Sequence, residues 1–264
     1  MRRRLRAVLV VGVCLASGCA AARPAQGPAP SALPSAADLE AQLAARHAAV
    51  HSLRALARMR YHDTAESGTL RQAIIVARPD RLRVEVFSVL GAVFLVTTNQ
   101  GTITAYARQD NTVYRGVASP ENLERYARVG LPVSDLIDIF LATPAPHAID
   151  HDRVSFDAII GAVRLVRTLA DRQQSVWFSP SSTPVAAEER GGDGQLAWHA
   201  TFGGYQDHGG LPIATEVNIE LPRWQRSLEL ALGDVDVNPP LDNSVFAFQT
   251  PPGSKEVNLE SLAD

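Results

Sequence analysis

The 264-residue chain has very little cysteine: Cys14 and Cys19 are its two cysteines, and both lie in the first twenty residues. Because no cysteine follows Cys19, the rest of the chain can form neither an internal disulfide nor a thiolate metal site. We therefore expect the folded body to be held together by packing and hydrogen bonds.

An excess of basic charge is also missing. The formal net charge is −3, and it includes four arginines near the N-terminus, in a segment that we expect to be removed: Arg2, Arg3, Arg4 and Arg6. Without them the net charge falls to −7. Nucleic-acid binding depends on basic side chains that neutralise phosphates. We therefore predict no nucleic-acid partner.

Common catalytic motifs are absent as well. The sequence contains no G-x-x-x-x-G-K-S/T, no G-x-S-x-G and no H-E-x-x-H. In "PHAIDHDR", His147, Asp150, His151 and Asp152 could gather on one loop as metal ligands, although a polar surface loop is the simpler explanation. We predict no enzymatic activity, no cofactor and no metal. A periplasmic hydrolase is the alternative, and it would require these residues to converge on a metal.

Other polar residues have structural explanations. His199 lies beside a predicted strand, and His208 lies beside a Gly-rich turn. The carboxylates of two further segments are typical of the solvated face of a strand: Glu188, Glu189, Glu216 and Glu220.

The N-terminal segment is typical of an exported protein. A basic start precedes an apolar run from Ala7 to Leu15, which is too short to span a bilayer. The following "LASGC" looks like a bacterial lipobox, so we predict a lipoprotein signal peptide over residues 1–18 and a lipid anchor on Cys19. Ordinary cleavage after Ala20–Ala22, which would leave a soluble product, is the alternative. Residues 19–37 are rich in Ala and Pro and read as a flexible tether.

Residues 38–264 are predicted to form one mainly β domain with a few helices. Alternating apolar and polar residues indicate about eleven strands joined by short turns, including a strand in the tail segment "SVFAF". Helical spacing predicts a helix over Asp38–Val50, a second helix that starts at Ser119, and a third over Leu131–Ala142. The third is apolar around most of its surface, so it must be buried on several sides or cover something apolar. A change of parity at Gly233 predicts a bulge.

One turn is unusual. In "FSVLGAVFLVTT", Val89 and Leu90 occupy the connection between two predicted strands, just before Gly91, where polar residues are the rule. Either these side chains fold back onto the core, or they project for a functional reason.

Five segments resemble the LolA/LolB-like lipoprotein carriers of the bacterial envelope, and they occur in that superfamily's order. They are "ARPDRLRVEV", "VLGAVFLV" with Val89 in place of a proline, "VGLPVSDLIDIFLATPAP", "FGGYQDHGGLPIATEVNIEL" and "FAFQTPPG". The resemblance covers about Asp38 to Leu259. It implies an open half-barrel of antiparallel strands, with helices across the concave apolar face and an acyl-binding cavity between them.

The resemblance also implies roles for particular residues. Val89, Leu90 and Gly91 would form a membrane-insertion loop, with Leu90 projecting, and Arg78 would latch the lid, unless it is an ordinary surface arginine before a proline. Cavity walls are expected from Val84, Val86, Leu95, Leu228 and Leu230, and the lid from Leu136, Ile137 and Phe140.

The leading hypothesis is an outer-membrane lipoprotein, anchored through Cys19 and facing the periplasm, that binds acyl chains of lipoproteins or lipids and aids their delivery. Ala20 after Cys19, rather than aspartate, is compatible with export beyond the inner membrane. Its expected partners are the acylated ligand, the outer membrane and a soluble periplasmic carrier. The alternative is an envelope sensory or interaction module on the same fold, with no transport role.

Overall fold

A computed structural model describes residues 30–146 and 152–262, and these residues form a mainly β fold with three α-helices. The predicted signal peptide, Cys19 and most of the tether lie outside the described residues, as do His147, Asp150 and His151. The mainly β character and the presence of helices are confirmed.

Three α-helices are present among the described residues, and each overlaps its predicted segment. They are α1 (Ala36–Ala49), α2 (Pro120–Ala127) and α3 (Val133–Phe140). The Ser35 hydroxyl accepts a hydrogen bond from the Asp38 backbone N–H at 3.1 Å, and the Asp38 carboxylate accepts one from the Ser35 N–H at 3.3 Å. Ser119 caps α2 in the same way, through the Asn122 N–H. Such bonds satisfy backbone donors that a helix start leaves without partners.

Sixteen strands are present among the described residues. The first six are β1 (Ser52–His62), β2 (Ser67–Ala77), β3 (Arg81–Ser88), β4 (Gly91–Asn99), β5 (Thr102–Ala107) and β6 (Thr112–Val117). After the helices come β7 (Arg153–Asp157), β8 (Ala162–Leu169), β9 (Arg172–Phe178), β10 (Pro184–Arg190), β11 (Leu196–Gly203), β12 (Gln206–His208), β13 (Leu211–Ile213), β14 (Glu216–Leu221), β15 (Arg226–Val237) and β16 (Lys255–Asn258).

Fourteen of these strands form one open sheet in the order β16-β6-β5-β4-β3-β2-β1-β15-β14-β11-β10-β9-β8-β7, and β12 and β13 form a separate hairpin. Tyr114 of β6 and Ile219 of β14 are seven strand spacings apart in this order, about 34 Å if the sheet were flat. Both nevertheless line one cavity of about 440 Å³, so the sheet curves around it.

The predicted count of about eleven strands is wrong, and so is a fully antiparallel sheet. The short strand β16 pairs with β6 in parallel, and the polar segment Lys255–Asn258 is extended because of that pairing rather than because of its own pattern. The expected tail strand "SVFAF" is instead a 3-10 turn over Asn243–Phe246, which packs on the outer face of the sheet, where the Thr97 hydroxyl donates to the Phe246 carbonyl at 2.9 Å.

Four strand pairings in the described part of the sheet have a register shift, and two of these involve strands that line the cavity. The β1–β15 pairing shifts between Arg54 and Leu56, so that β15 holds an extra residue beside Gly233, as predicted. A second shift lies in the β3–β4 pairing, where Val86 opposes Phe94 but Phe87 opposes Ala92. The extra residue, Val93, changes which side chains of β4 face inward.

All three helices pack against the same face of the sheet. Leu39, Leu123 and Leu136, one from each helix, join the strands in a single hydrophobic core. Within the described residues, no helix is both long and apolar enough to cross a membrane.

Candidate functional site

An apolar cavity of about 440 Å³ lies between the concave face of the sheet and the helices α2 and α3. Alternate residues of the strands face it because successive side chains in a strand point to opposite sides. The wall from β3 and β15 and the cover from α3 consist of aliphatic and aromatic side chains: Val84, Val86, Leu228, Leu230, Leu136 and Phe140. The rings of Tyr114 and Tyr126 pack at 4.9 Å between centroids with a tilt of 37°, and both line the cavity on the α2 side.

Six of the eight predicted cavity and lid residues therefore lie at the cavity, whereas Leu95 and Ile137 do not. Leu95 is buried on the outer face, because the extra residue Val93 brings Phe94 and Val96 to the inner face instead. Ile137 is completely buried in the hydrophobic core and does not line the cavity.

Charged residues surround the cavity where α2 meets the ends of β1 and β15. Arg226 is only 8% exposed, and its Nη1 donates to the Glu124 carboxylate at 2.7 Å and to the Arg128 carbonyl at 2.7 Å. Its Nη2 donates to Asp63 at 3.3 Å. This arginine therefore holds α2 against two strands. The sequence pattern did not reveal this cluster, because Arg226 begins a strand and its partners are distant in the chain.

Arg78 connects the sheet to the lid. It follows β2, and its guanidinium donates hydrogen bonds to the Asp138 carboxylate of α3 and to the Thr143 hydroxyl. Further bonds reach the Thr143 carbonyl at 3.1 Å and the Val50 carbonyl at 3.3 Å. Since both ionised side chains are largely buried, this is a charge-assisted contact of low solvent exposure rather than a surface ion pair. Sequence reasoning named Arg78 but not Asp138 as its partner.

Two neighbouring groups, Asp138 and His47, have shifted pKa values. Burial raises the pKa of the Asp138 carboxyl, and the positive charge of Arg78 opposes that rise. The imidazole of His47 lies 3.8 Å from the same carboxylate. Burial, and to a smaller extent the positive charge of Arg78, lower the pKa of His47 from 6.5 to about 4. At neutral pH His47 is therefore uncharged, and Arg78 is the cation that faces Asp138.

The other end of α3 has an ionic contact of its own. Arg172 of β9 lies 3.8 Å from Asp135 and 3.1 Å from Glu189. Burial raises the pKa of Glu189, and the nearby Asp135 carboxylate raises it further. The prediction that Glu188 and Glu189 lie on a solvated face is wrong, because both are buried and paired with arginines. Glu216 and Glu220 are exposed, as predicted.

The turn between β3 and β4 presents its apolar residues to solvent. Val89 is 101% exposed and Leu90 is 88% exposed. The Ser88 hydroxyl accepts a hydrogen bond from the Leu90 backbone N–H at 3.1 Å, and Gly91 leaves the turn with a φ of 105°, which favours glycine. The side chains of Val89 and Leu90 therefore project into solvent and do not fold back onto the core.

Three of the remaining metal-ligand candidates, His147, Asp150 and His151, lie outside the described residues. Among residues 30–146 and 152–262, no cluster of three or more His, Cys, Asp or Glu side chains could hold a metal ion. His199 packs its ring edge-on against Trp177 at 6.3 Å between centroids.

No family model matches the sequence, and no curated protein matches it. Solved structures do resemble it. A DUF1329 family protein from Desulfovibrio piger has a TM-score of 0.58 and 13% identity, over 80% of this chain and 95% of that one. A domain from Vibrio parahaemolyticus, described as an outer membrane lipoprotein-sorting protein, has a TM-score of 0.56 and 16% identity, over 80% and 97%. A LolA superfamily protein from Nitrosomonas europaea has a TM-score of 0.51 and 11% identity, over 79% and 97%. The chain has a LolA/LolB-like fold.

Proposed function

We propose that this protein binds acyl chains of lipoproteins or lipids in the cavity and aids their delivery to the outer membrane. The observation that supports this most directly is the apolar cavity of about 440 Å³ beneath α3. Its size falls in the range of ligand pockets, about 300–1,000 Å³. A carrier of this kind needs no catalytic group, since the ligand stays chemically unchanged.

The driving force would be burial of methylene groups. Each buried CH₂ contributes about 0.8 kcal/mol, so even part of one chain in contact with Val84, Val86 and Leu228 supplies useful affinity. Transfer then follows from competition between this cavity, a carrier's cavity and the bilayer. Net delivery requires that the cavity bind the chain less strongly than its final environment does.

Access to the cavity would depend on α3. Leu136 and Phe140 cover the cavity, and the contact between Arg78 and Asp138 holds their helix in place. A ligand that displaces the helix must break or rearrange this contact. We therefore assign to Arg78 the role of a lid latch.

Delivery requires contact with a membrane. The exposed Val89–Leu90 turn can supply it, because an exposed leucine gains roughly 1.5–3 kcal/mol when it becomes fully buried. In the proposal, a lipid on Cys19 keeps the body at the outer membrane. The 16 chain steps from Cys19 to Ser35 could reach about 55 Å when fully extended, so the turn can reach the bilayer surface or a soluble periplasmic carrier.

The experiment is mass spectrometry of lipids extracted from gently purified protein. We expect phospholipid, fatty acid or acylated peptide at a stoichiometry approaching one per chain, and a strong decrease when the cavity is filled by Val86→Trp. Absence of any acyl-chain compound from repeated preparations would contradict the proposal.

A second function, an envelope interaction module without transport, is favoured by one observation. The turn between β7 and β8 also exposes apolar residues, with Ile159 84% exposed, and neither of these strands lines the cavity. A protein that used this turn alone would keep its partner after Val86→Trp, whereas a carrier would lose its ligand.

A further inference from the structure

The outer face of the sheet, opposite the cavity, carries two arginines directly across from one another. The register pairs Arg58 of β1 with Arg71 of β2, and both side chains are exposed. Like charges in directly opposed positions destabilise an antiparallel pair. The folding of the sheet therefore provides no reason for this arrangement.

Neighbouring arginines of the same face are neutralised. Arg60 lies 2.8 Å from Glu229, and Arg54 lies 2.6 Å from Asp236. Arg83 lies 2.5 Å from Glu85. Within the part of the chain that the structure describes, no carboxylate lies within ion-pair distance of Arg58 or Arg71. The pair therefore leaves two positive charges unbalanced on a chain whose overall charge is negative.

The arginine pair lies close to the projecting turn. Arg71 also pairs with Phe87 of β3, so Arg58, Arg71 and Phe87 form one row across three strands. Phe87 precedes Leu90 by three residues. Ser88 pairs with Gly91, so Val89 and Leu90 run across the turn, and the row lies about two residue steps, roughly 7 Å, behind its tip.

This spacing fits the layers of a bilayer. The hydrocarbon core is about 30 Å thick and the whole bilayer about 40–45 Å, so each headgroup layer is roughly 5–8 Å deep. When Leu90 enters the hydrocarbon, the row therefore lies at the depth of the headgroups. Long arginine side chains reach the lipid phosphates there, and a guanidinium binds phosphate oxygens with two parallel hydrogen bonds.

We propose that Arg58 and Arg71 bind the phosphates of anionic lipids in the membrane that the Val89–Leu90 turn enters. This inference rests on the membrane contact of the proposed function and adds to it a lipid preference. It also orients the body, since the outer face near β1 and β2 tilts toward the bilayer.

The test is flotation with vesicles, using the full chain with Cys19→Ser so that no variant carries an anchor. One set of vesicles is pure phosphatidylcholine, and the other contains about one third phosphatidylglycerol. An arginine near an anionic surface contributes about fivefold to binding. We expect Arg58→Gln/Arg71→Gln to bind the anionic vesicles about 25-fold more weakly and the neutral vesicles unchanged. Arg58→Lys/Arg71→Lys should retain most of the binding.

Arg54→Gln is the matched control, because it removes the same charge from the same strand, four residues further from the turn. Its affinity for the anionic vesicles should lie within twofold of that of the Cys19→Ser protein, whose outer face is unchanged. Equal binding of the Cys19→Ser protein to both kinds of vesicle would overturn the inference. An unchanged affinity of Arg58→Gln/Arg71→Gln for the anionic vesicles would also overturn it. In either outcome the outer face would bind a protein partner or no partner. Acyl-chain binding measured on the same proteins tests the cavity separately, and we expect these variants to leave it unaltered.

Discussion

Arg78, in the connection between β2 and β3, donates a hydrogen bond to the Asp138 carboxylate of α3, sixty residues later in the chain. The sheet and the helix that covers the cavity are thereby joined by one buried, charge-assisted contact. Thr143, just beyond α3, accepts from the same guanidinium, so the end of the lid is held at two points.

Removing the arginine should both destabilise the fold and free the lid. We expect Arg78→Ala to lower the free energy of unfolding by about 3 kcal/mol, because it leaves the Asp138 carboxylate buried without this cation. Urea unfolding measures this loss, and stopped-flow uptake of a fluorescent fatty acid should become faster.

The double variant Arg78→Ala/Asp138→Ala is the control for that interpretation. Because it removes both charges, its loss of unfolding free energy should be smaller than the sum of the losses in the two single variants. Strictly additive losses would show that the two side chains do not interact.

Leu90→Glu should abolish transfer of acyl chains to vesicles without unfolding the protein. The side chain is 88% exposed, so we expect its replacement to change the free energy of unfolding by less than about 0.5 kcal/mol. A glutamate cannot enter the hydrocarbon, and the membrane contact is lost. Transfer of a fluorescent acyl ligand to vesicles measures the effect.

Ile159→Glu is the matched control for the turn. Ile159 is 84% exposed in the turn after β7, which runs opposite to β3 in the sheet, so the two turns lie at opposite ends. We expect normal transfer from this variant. Equal loss from both variants, or unfolding of Leu90→Glu, would contradict the proposed role of the β3–β4 turn.

Stability should fall in mild acid because of His47. Its pKa is about 4 in the folded protein, compared with about 6.5 in an unfolded chain. As the pH falls from about 6.5 toward 4, the unfolded state takes up a proton that the folded state does not, and this favours unfolding. The stability that the uncharged His47 contributes is therefore fully present above pH 6.5 and is lost as the pH falls toward 4.

The measurement is the urea midpoint of wild type and His47→Gln at about pH 7 and pH 4.5. The wild type should lose more stability between these values than the variant does. A larger loss in His47→Gln would show that the sign of the histidine's contribution is wrong.

Periodicity predicted the parts of the fold that depend on local pattern. The alternation in β3 puts Val84 and Val86 on one face of the strand, and the apolar surface of α3 indicated a helix covered on several sides. Leu95 was misplaced because one extra residue, Val93, reverses the parity of β4. A bulge of this kind is set by pairing with β3, which the sequence of β4 alone does not encode.

Long-range charge contacts were the least predictable feature. Arg226 and Glu124 are about one hundred residues apart, yet they meet at the cavity. Glu189 follows a pattern typical of a solvated strand face, but α3 and Arg172 cover it. In each instance the burial comes from a helix that packs on the sheet, so strand periodicity carries no sign of it.

The central claim is that the cavity accepts an acyl chain, and equilibrium titration with a fluorescent long-chain fatty acid tests it most directly. Val86→Trp places an indole where about two methylenes would lie, so the Kd should rise at least about tenfold. Thr69→Trp adds the same group to the exposed outer face of β2 and should leave the Kd unchanged. Equal affinity of wild type and both variants, or no binding by the wild type, would contradict the account.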